Sequence, residues 1–138
     1  MNPPKEPTEI ITPTAVKQLV KINKETCEKM HRPFGVNRVL LGEVVRAINA
    51  YSDIVDSRSR IAKKASNILS GIIVKKPFDD GNFETAFTFM LAFIEDAGFE
   101  LAESRVEQLF QKIERMLADK KEIGLAAERY LLENMEQL

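Results

Sequence analysis

The sequence predicts an all-α fold, a single-domain bundle of about six helices, on three observations. Apolar residues recur at i, i+3, i+4 and i+7 in several separate stretches, the period of helices buried on one face. No sustained alternation of apolar and polar residues marks a strand, and none is expected between residues 60 and 100. One segment, Phe83 to Ile94, is apolar almost all round, and a helix of that kind belongs at the centre of a bundle. With 138 residues the chain is long enough to bury most of its apolar surface in one core.

Taken in order, residues 1–11 hold three prolines and read as a flexible tail, leaving 12–138 as the helical domain. Thr12-Pro13 supplies an N-cap and a first-turn proline for a helix reaching about Met30. Its face is Val16, Leu19, Val20, Asn23, Cys27 and Met30. His31 to Asn37 is a loop, since Pro33 and Gly35 break helix. Leu40, Val44, Val45, Ile48 and Tyr51 mark a second helix. Ile61, Ala65, Ile68, Leu69 and Ile72 mark a third, from about Ser57 to Val74. The fourth starts with Asn82 as N-cap and ends near Ala97, where Gly98 suits a left-handed cap. Phe87, Met90 and Ile94 should be among its deepest side chains. The fifth carries Val106, Leu109, Phe110, Ile113, Met116 and Leu117; the last, about Glu122 to Met135, uses Leu125, Ala126, Tyr130 and Leu131.

The bulk properties exclude several function classes. A formal net charge of -1, with only the short pairs Lys63-Lys64 and Lys120-Lys121 as basic clusters, argues against a nucleic-acid partner. No apolar run approaches the ~18 residues of a membrane span. The start of the sequence has no apolar stretch of signal-peptide type. The single Cys27 forms no intrachain disulfide and suits a reducing compartment, so the expectation is a cytoplasmic protein without membrane contact. On its helical face Cys27 reads as a packed thiol. One histidine and one cysteine do not make a zinc site, and His31 sits in a loop where solvation is the ordinary fate.

The chemistry concentrates in Lys75-Lys76-Pro77-Phe78-Asp79-Asp80-Gly81-Asn82-Phe83-Glu84-Thr85-Ala86. This segment resembles the signature loop of the Fic/Doc (death-on-curing) family, with agreement at Pro77, Phe78, Asp80, Gly81, Asn82, Thr85 and Ala86. The exit Ala97-Gly98-Phe99-Glu100-Leu101 is in register too, so the resemblance covers about residues 36 to 135. In the family the loop wraps a nucleotide phosphate, and transfer uses ATP and Mg. The resemblance implies that Phe78, Gly81, Asn82, Phe83, Glu84 and Thr85 would contact the nucleotide and that Asp80 would help hold the metal. Free N–H groups at the start of the following helix would meet the anion. Asp79, Asp80 and Glu84 are the other oxygen ligands at hand.

Two positions depart from the family. Lys76 stands at the catalytic histidine's place and Glu84 at that of the phosphate-binding arginine. A general base needs a pKa near neutrality, whereas lysine starts near ~10.4 and is charged at pH 7. Two like charges ~4 Å apart cost roughly 1 kcal/mol in water and ~4 kcal/mol at an effective dielectric of 20. Glu84 thus opposes phosphate where arginine would attract it. The expectation is a catalytically impaired Fic/Doc-like domain, related to toxin–antitoxin proteins, that binds a protein target or an antitoxin-like protein. Arg32 to Val39 would be the flap that holds the target. The alternative is a phosphotransferase or nucleotidyltransferase acting on a protein hydroxyl through rearranged groups. A homo-oligomer stays open. Lys76 and Glu84 are expected to pair directly, or through one water, across the phosphate space.

Overall fold

The computed structural model describes residues 9–138 and is all-α apart from two short strands. The helices are α1 (Pro13–Lys29), α2 (Arg38–Asn49), α3 (Ser57–Lys75), α4 (Asn82–Asp96), α5 (Glu103–Arg115) and α6 (Ile123–Asn134). Short 3-10 turns at Ala50–Asp53 and Lys120–Glu122 follow α2 and precede α6. Local chemistry sets the helix starts. Thr12, Asn37 and Asp56 each accept the backbone N–H three residues on, at 3.2, 3.1 and 2.8 Å. Ends are set by left-handed residues: Lys76 (φ 51°) stops α3, and Gly98 (φ 92°) follows α4.

α3 and α4 lie side by side at the centre. α3 packs against α2, α4 and α6, and α4 against α1. The expected burial of α4 holds: Phe87, Met90 and Ile94 are all buried, with Phe83, Ala86, Phe89 and Phe93 beside them. Removing each such side chain from water contributes about 1.5–3 kcal/mol. α4 does not hold the centre alone, because α3 buries Ile61, Ile68, Leu69 and Ile72 as deeply. α5 closes over the far side of α4 with an aromatic cluster. Phe110 stacks on Phe83 at 4.8 Å and meets Phe87 edge-on at 5.2 Å.

Three details differ from the sequence reading. Phe99–Glu100 forms strand β1, paired antiparallel with β2 (Glu136–Gln137), so a two-residue strand does fall at the edge of the 60–100 stretch. It ties the exit of α4 to the C-terminal end of the described chain, where the Leu138 N–H donates to the Gly98 carbonyl. The turn at Gly98 leaves backbone groups that only a neighbouring segment can satisfy.

Residues 9–11 of the expected tail are also held to the body, whereas 1–8 lie outside the described residues. Ile11 is buried and exchanges two hydrogen bonds with the Asn49 side chain, at 2.9 and 3.1 Å. Glu9 grips Arg60 through two hydrogen bonds of 2.6 and 2.8 Å. Finally, Lys64 is not part of a surface cluster. It is 0% exposed and donates to the Glu9 carbonyl (2.8 Å) and the Ser52 hydroxyl (2.9 Å). Burial lowers its pKa, while the Glu9 carboxylate pulls the other way.

Candidate functional site

The signature loop is a short bridge from α3 to α4, fixed from below, from within and from one side. It starts at Lys76, whose left-handed backbone stops α3 and releases the chain sideways. Pro77 and Phe78 are buried, and Phe78 anchors the loop in the core as its spacing implies. Asn82 then closes the loop on itself: its side-chain oxygen accepts the Phe78 N–H (3.1 Å) and its amide donates to the Phe78 carbonyl (2.9 Å).

This corrects the expected N-cap. Gly81 at φ 70° is the cap residue, and Asn82 is already helical. Its side chain serves the loop behind it, because a left-handed glycine swings the residue that follows back over Phe78. The first N–H to enter the helix ladder is that of Thr85, bonded to the Gly81 carbonyl at 3.0 Å. The preceding first-turn N–H groups are the donors that a helix start leaves over.

From below, α1 supports the loop. Asn23 is 0% exposed and donates through one nitrogen to the Asp80 carbonyl (2.8 Å) and the Thr85 hydroxyl (3.1 Å). The Cys27 thiol lies 3.6 Å from the same carbonyl. A Cβ on Gly81 would come within 3.4 Å of Asn23 and 3.5 Å of Cys27, so α1 lies directly against the backbone there. Burial raises the Cys27 pKa, and the nearby Asp80 and Glu84 charges raise it further. Cys27 is therefore a packed thiol rather than a nucleophile.

From the side, the segment before α2 runs antiparallel to the loop. Asn37 N–H donates to the Pro77 carbonyl (2.7 Å) and Asp79 N–H to the Gly35 carbonyl (2.9 Å), which makes a β-bridge between Val36 and Phe78. Asp79 folds over Gly35 so closely that a Cβ there would lie 2.0 Å from its carboxylate. Arg32 reaches Asp80 at 3.3 Å. The segment from Arg32 to Val39 and the loop thus form one joined surface, with Phe34 (43% exposed) and Val39 (71%) presented to solvent.

The sequence-predicted residues divide sharply. Phe78, Gly81 and Asn82 build the loop. Phe83 is buried against Phe110. Thr85 is buried and bonded to Asn23. Asp80 is half-buried, and its two carboxylate oxygens are engaged by the Gly81 N–H (2.7 Å) and by Arg32. Glu84 stands in the first turn of α4, where its negative charge already complements the helix dipole.

Lys76 and Glu84 do not pair directly: among the described residues no ion pair joins them. Nor do three His, Cys, Asp or Glu side chains converge as a cation site among the described residues. With both Asp80 carboxylate oxygens engaged and the Glu84 carboxylate in the first turn of α4, the residues present do not fit a metal-bound triphosphate in the family pose. His31 is exposed in a left-handed turn (φ 55°) past the end of α1.

Sequence reasoning missed Asn23 as a support of the loop. The signal was present: an asparagine midway in the apolar stripe Leu19, Asn23, Cys27 needs a buried polar partner. Comparison with known proteins adds no relative, since no family model, no curated protein and no solved structure matches the chain. The likeness to the Fic/Doc loop rests on residues 77–86 themselves.

Proposed function

We propose that this chain is a Fic/Doc-like helical domain that acts by binding a protein, a target or an antitoxin-like partner, without transferring nucleotide. The observation that carries the reading is the β-bridge between Val36 and Phe78. It fixes the Arg32–Val39 flap against a loop whose charged groups are turned to internal contacts. A rigid surface with an exposed aromatic, Phe34, is a suitable protein anchor, because aromatic side chains carry much of the binding energy at interfaces. The domain keeps the loop that positions a target while lacking the base and the arginine that would make transfer work.

Two experiments test the reading separately. A photo-crosslinking residue at Phe34 should give a discrete adduct with one protein in the source cell. The same residue at Val55, 93% exposed and far along the chain, should not. Equal labelling from both positions removes the docking surface. In the second, isotopically labelled ATP with Mg is incubated with the wild type and with K76H/E84R. The wild type should give no labelled protein, and the double variant should gain nucleotide affinity of at least about tenfold, the worth of one restored charge-assisted contact. Label transferred by the wild type, and lost in Asn82→Ala, would establish a transferase instead.

A further inference from the structure

Across α3 from the signature loop lies a groove of about 440 Å³, lined by Ser70, Gly71, Val74, Lys75, Lys120 and Gly124, with Lys121 at its rim. Its floor is almost entirely carbon. Gly124 allows α6 to approach α3 closely there, since a Cβ would come 3.2 Å from the Ser70 hydroxyl. Val74 is half-exposed on that floor.

The rim has the opposite character. Lys75 and Lys76 come from the end of α3, and Lys120 and Lys121 from the turn before α6. The neighbouring Lys76 side chain is the first cause holding the Lys120 pKa below its ordinary value. Among the described residues none of the four takes part in an ion pair. The chain as a whole has net charge -1, so three ammonium groups without an ion pair, Lys75, Lys120 and Lys121, around one apolar floor are a strong local departure. Adjacent like charges repel, and an anion between them turns that repulsion into two attractions.

We propose that this groove binds a small organic anion with an apolar body, its carboxylate or phosphate head among Lys75, Lys120 and Lys121 and its hydrocarbon over Val74, Gly71 and Gly124. The volume falls within the roughly 300–1,000 Å³ of small-molecule pockets, which combine an apolar lining with a few placed polar groups. Lysines suit the head because they meet an anion as point charges without requiring a planar, bidentate partner. An inorganic anion would leave the carbon floor unused, and a neutral amphiphile would leave the ammonium groups facing each other. The site is independent of the loop surface proposed above.

The test is a titration of isotope-labelled protein by NMR with four probes below their micelle concentrations: decanoate, decyl phosphate, decanol and inorganic phosphate. The Gly71, Val74 and Gly124 amide signals should shift saturably with decanoate or decyl phosphate, and which of the two binds tighter identifies the head. Decanol and inorganic phosphate should bind at least about tenfold more weakly, the loss expected when one of two contributing contacts is removed. K120E/K121E should weaken both decyl anions by a similar factor. Since these lysines hold no ion pair, its thermal midpoint should match the wild type; K120Q alone serves if it does not. Val74→Asn should weaken decanoate and leave inorganic phosphate unchanged. Equal binding of decanol, shifts centred on Phe34 and Val39 instead, or no saturable shift up to about 2 mM, weaker than useful small-molecule affinities, overturns the proposal.

Discussion

Loop 77–82 is tied to α1 by neutral groups, whereas residues 9–11 are tied to α3 by ions. Under the loop, Asn23 serves the Asp80 carbonyl and the Thr85 hydroxyl, and Asn82 serves both backbone groups of Phe78. At the N-terminal clamp, Glu9 meets Arg60 in a forked pair, and buried Lys64 donates to the Glu9 carbonyl. Both closures join residues more than fifty apart in sequence. Amide groups cost comparatively little to desolvate and keep their hydrogen bonds at any pH. Ions cost much more to bury and hold only while they stay charged. The loop should therefore be a fixed platform, and the clamp a contact whose strength follows solution conditions.

The largest effect should come from Asn23→Leu. It fits the α1 stripe sterically but leaves the Asp80 carbonyl without its main donor and the Thr85 hydroxyl without a partner. One unsatisfied buried group costs about 1–3 kcal/mol, so a loss of about 3 kcal/mol is expected in urea denaturation. Hydrogen exchange at residues 81–85 should accelerate more than at residues 61–72. A loss below about 0.5 kcal/mol, the size of an ordinary surface substitution, would mean that α1 does not hold the loop.

Arg60→Ala comes next, with an expected loss of about 1–3 kcal/mol. The Glu9–Arg60 pair is neither buried nor free, with both side chains 17% exposed, so its worth lies between surface and interior pairs. The guanidinium also donates to the Ile54 and Val55 carbonyls, which lose a partner. Cleavage by a protease near residue 11 should become faster in this variant and not in Asn23→Leu, which separates the two closures.

How much of this contrast was legible depends on how far apart its partners lie in sequence. Helix α4 announced itself through Phe83, Phe87, Met90 and Ile94, because burial on one helix follows from local period alone. Its start and its end at Gly98 followed from turn chemistry within four residues. Asn82 showed the limit of that reasoning: an asparagine before a helix suggests a cap, but the left-handed Gly81 took that place and sent the side chain to Phe78. The clamp and the lysine groove were hidden for a different reason. Lys64 looks like half of a surface pair until Glu9 arrives from fifty-five residues away, and Lys75 shares a groove with Lys120 only through the packing of α6 on α3. Charge in a sequence has no direction; the fold decides which charges face each other.

Acid should discriminate between the closures more finely. The Arg60 hydrogen bond holds the Glu9 carboxyl below its ordinary value of 4.5, against a smaller push upward from burial. A depressed carboxyl contributes stability above its unfolded pKa and loses it as pH falls through the folded value. The wild type should therefore lose its advantage over Glu9→Gln between about pH 5 and the folded pKa, and the two unfolding midpoints should converge below it. Asn23→Leu should run parallel to the wild type over the same range. On the alkaline side Lys64 has the same sign: its folded pKa is lowered from 10.5, so stability rises with pH between the lowered value and 10.5 as the penalty of burying its charge is relieved. A wild type whose gap to Glu9→Gln stays constant from pH 6 to about pH 3 would break the ionic account of the clamp.

Arg32→Ala should have the smallest effect and is the most exacting test, because it touches the one ionic contact on the neutral side. The Arg32–Asp80 pair spans 3.3 Å with the arginine side chain 54% exposed, a geometry that contributes about 0–1 kcal/mol and is screened by salt. Asp80 does not depend on it for position, since its carbonyl is held by Asn23 and its other carboxylate oxygen by the Gly81 N–H. The variant should thus lie within about 0.5 kcal/mol of the wild type at 0.15 M salt, the usual range of surface substitutions, with unchanged exchange in the loop. If the loop instead loosens, the platform is ionic after all, and the contrast with the clamp becomes one of degree. If only the flap loosens, between Arg32 and Val36, then Arg32 positions the docking surface while the amides hold the loop. The Phe34 crosslink would then weaken in Arg32→Ala at unchanged stability, an outcome that Asn23→Leu cannot imitate.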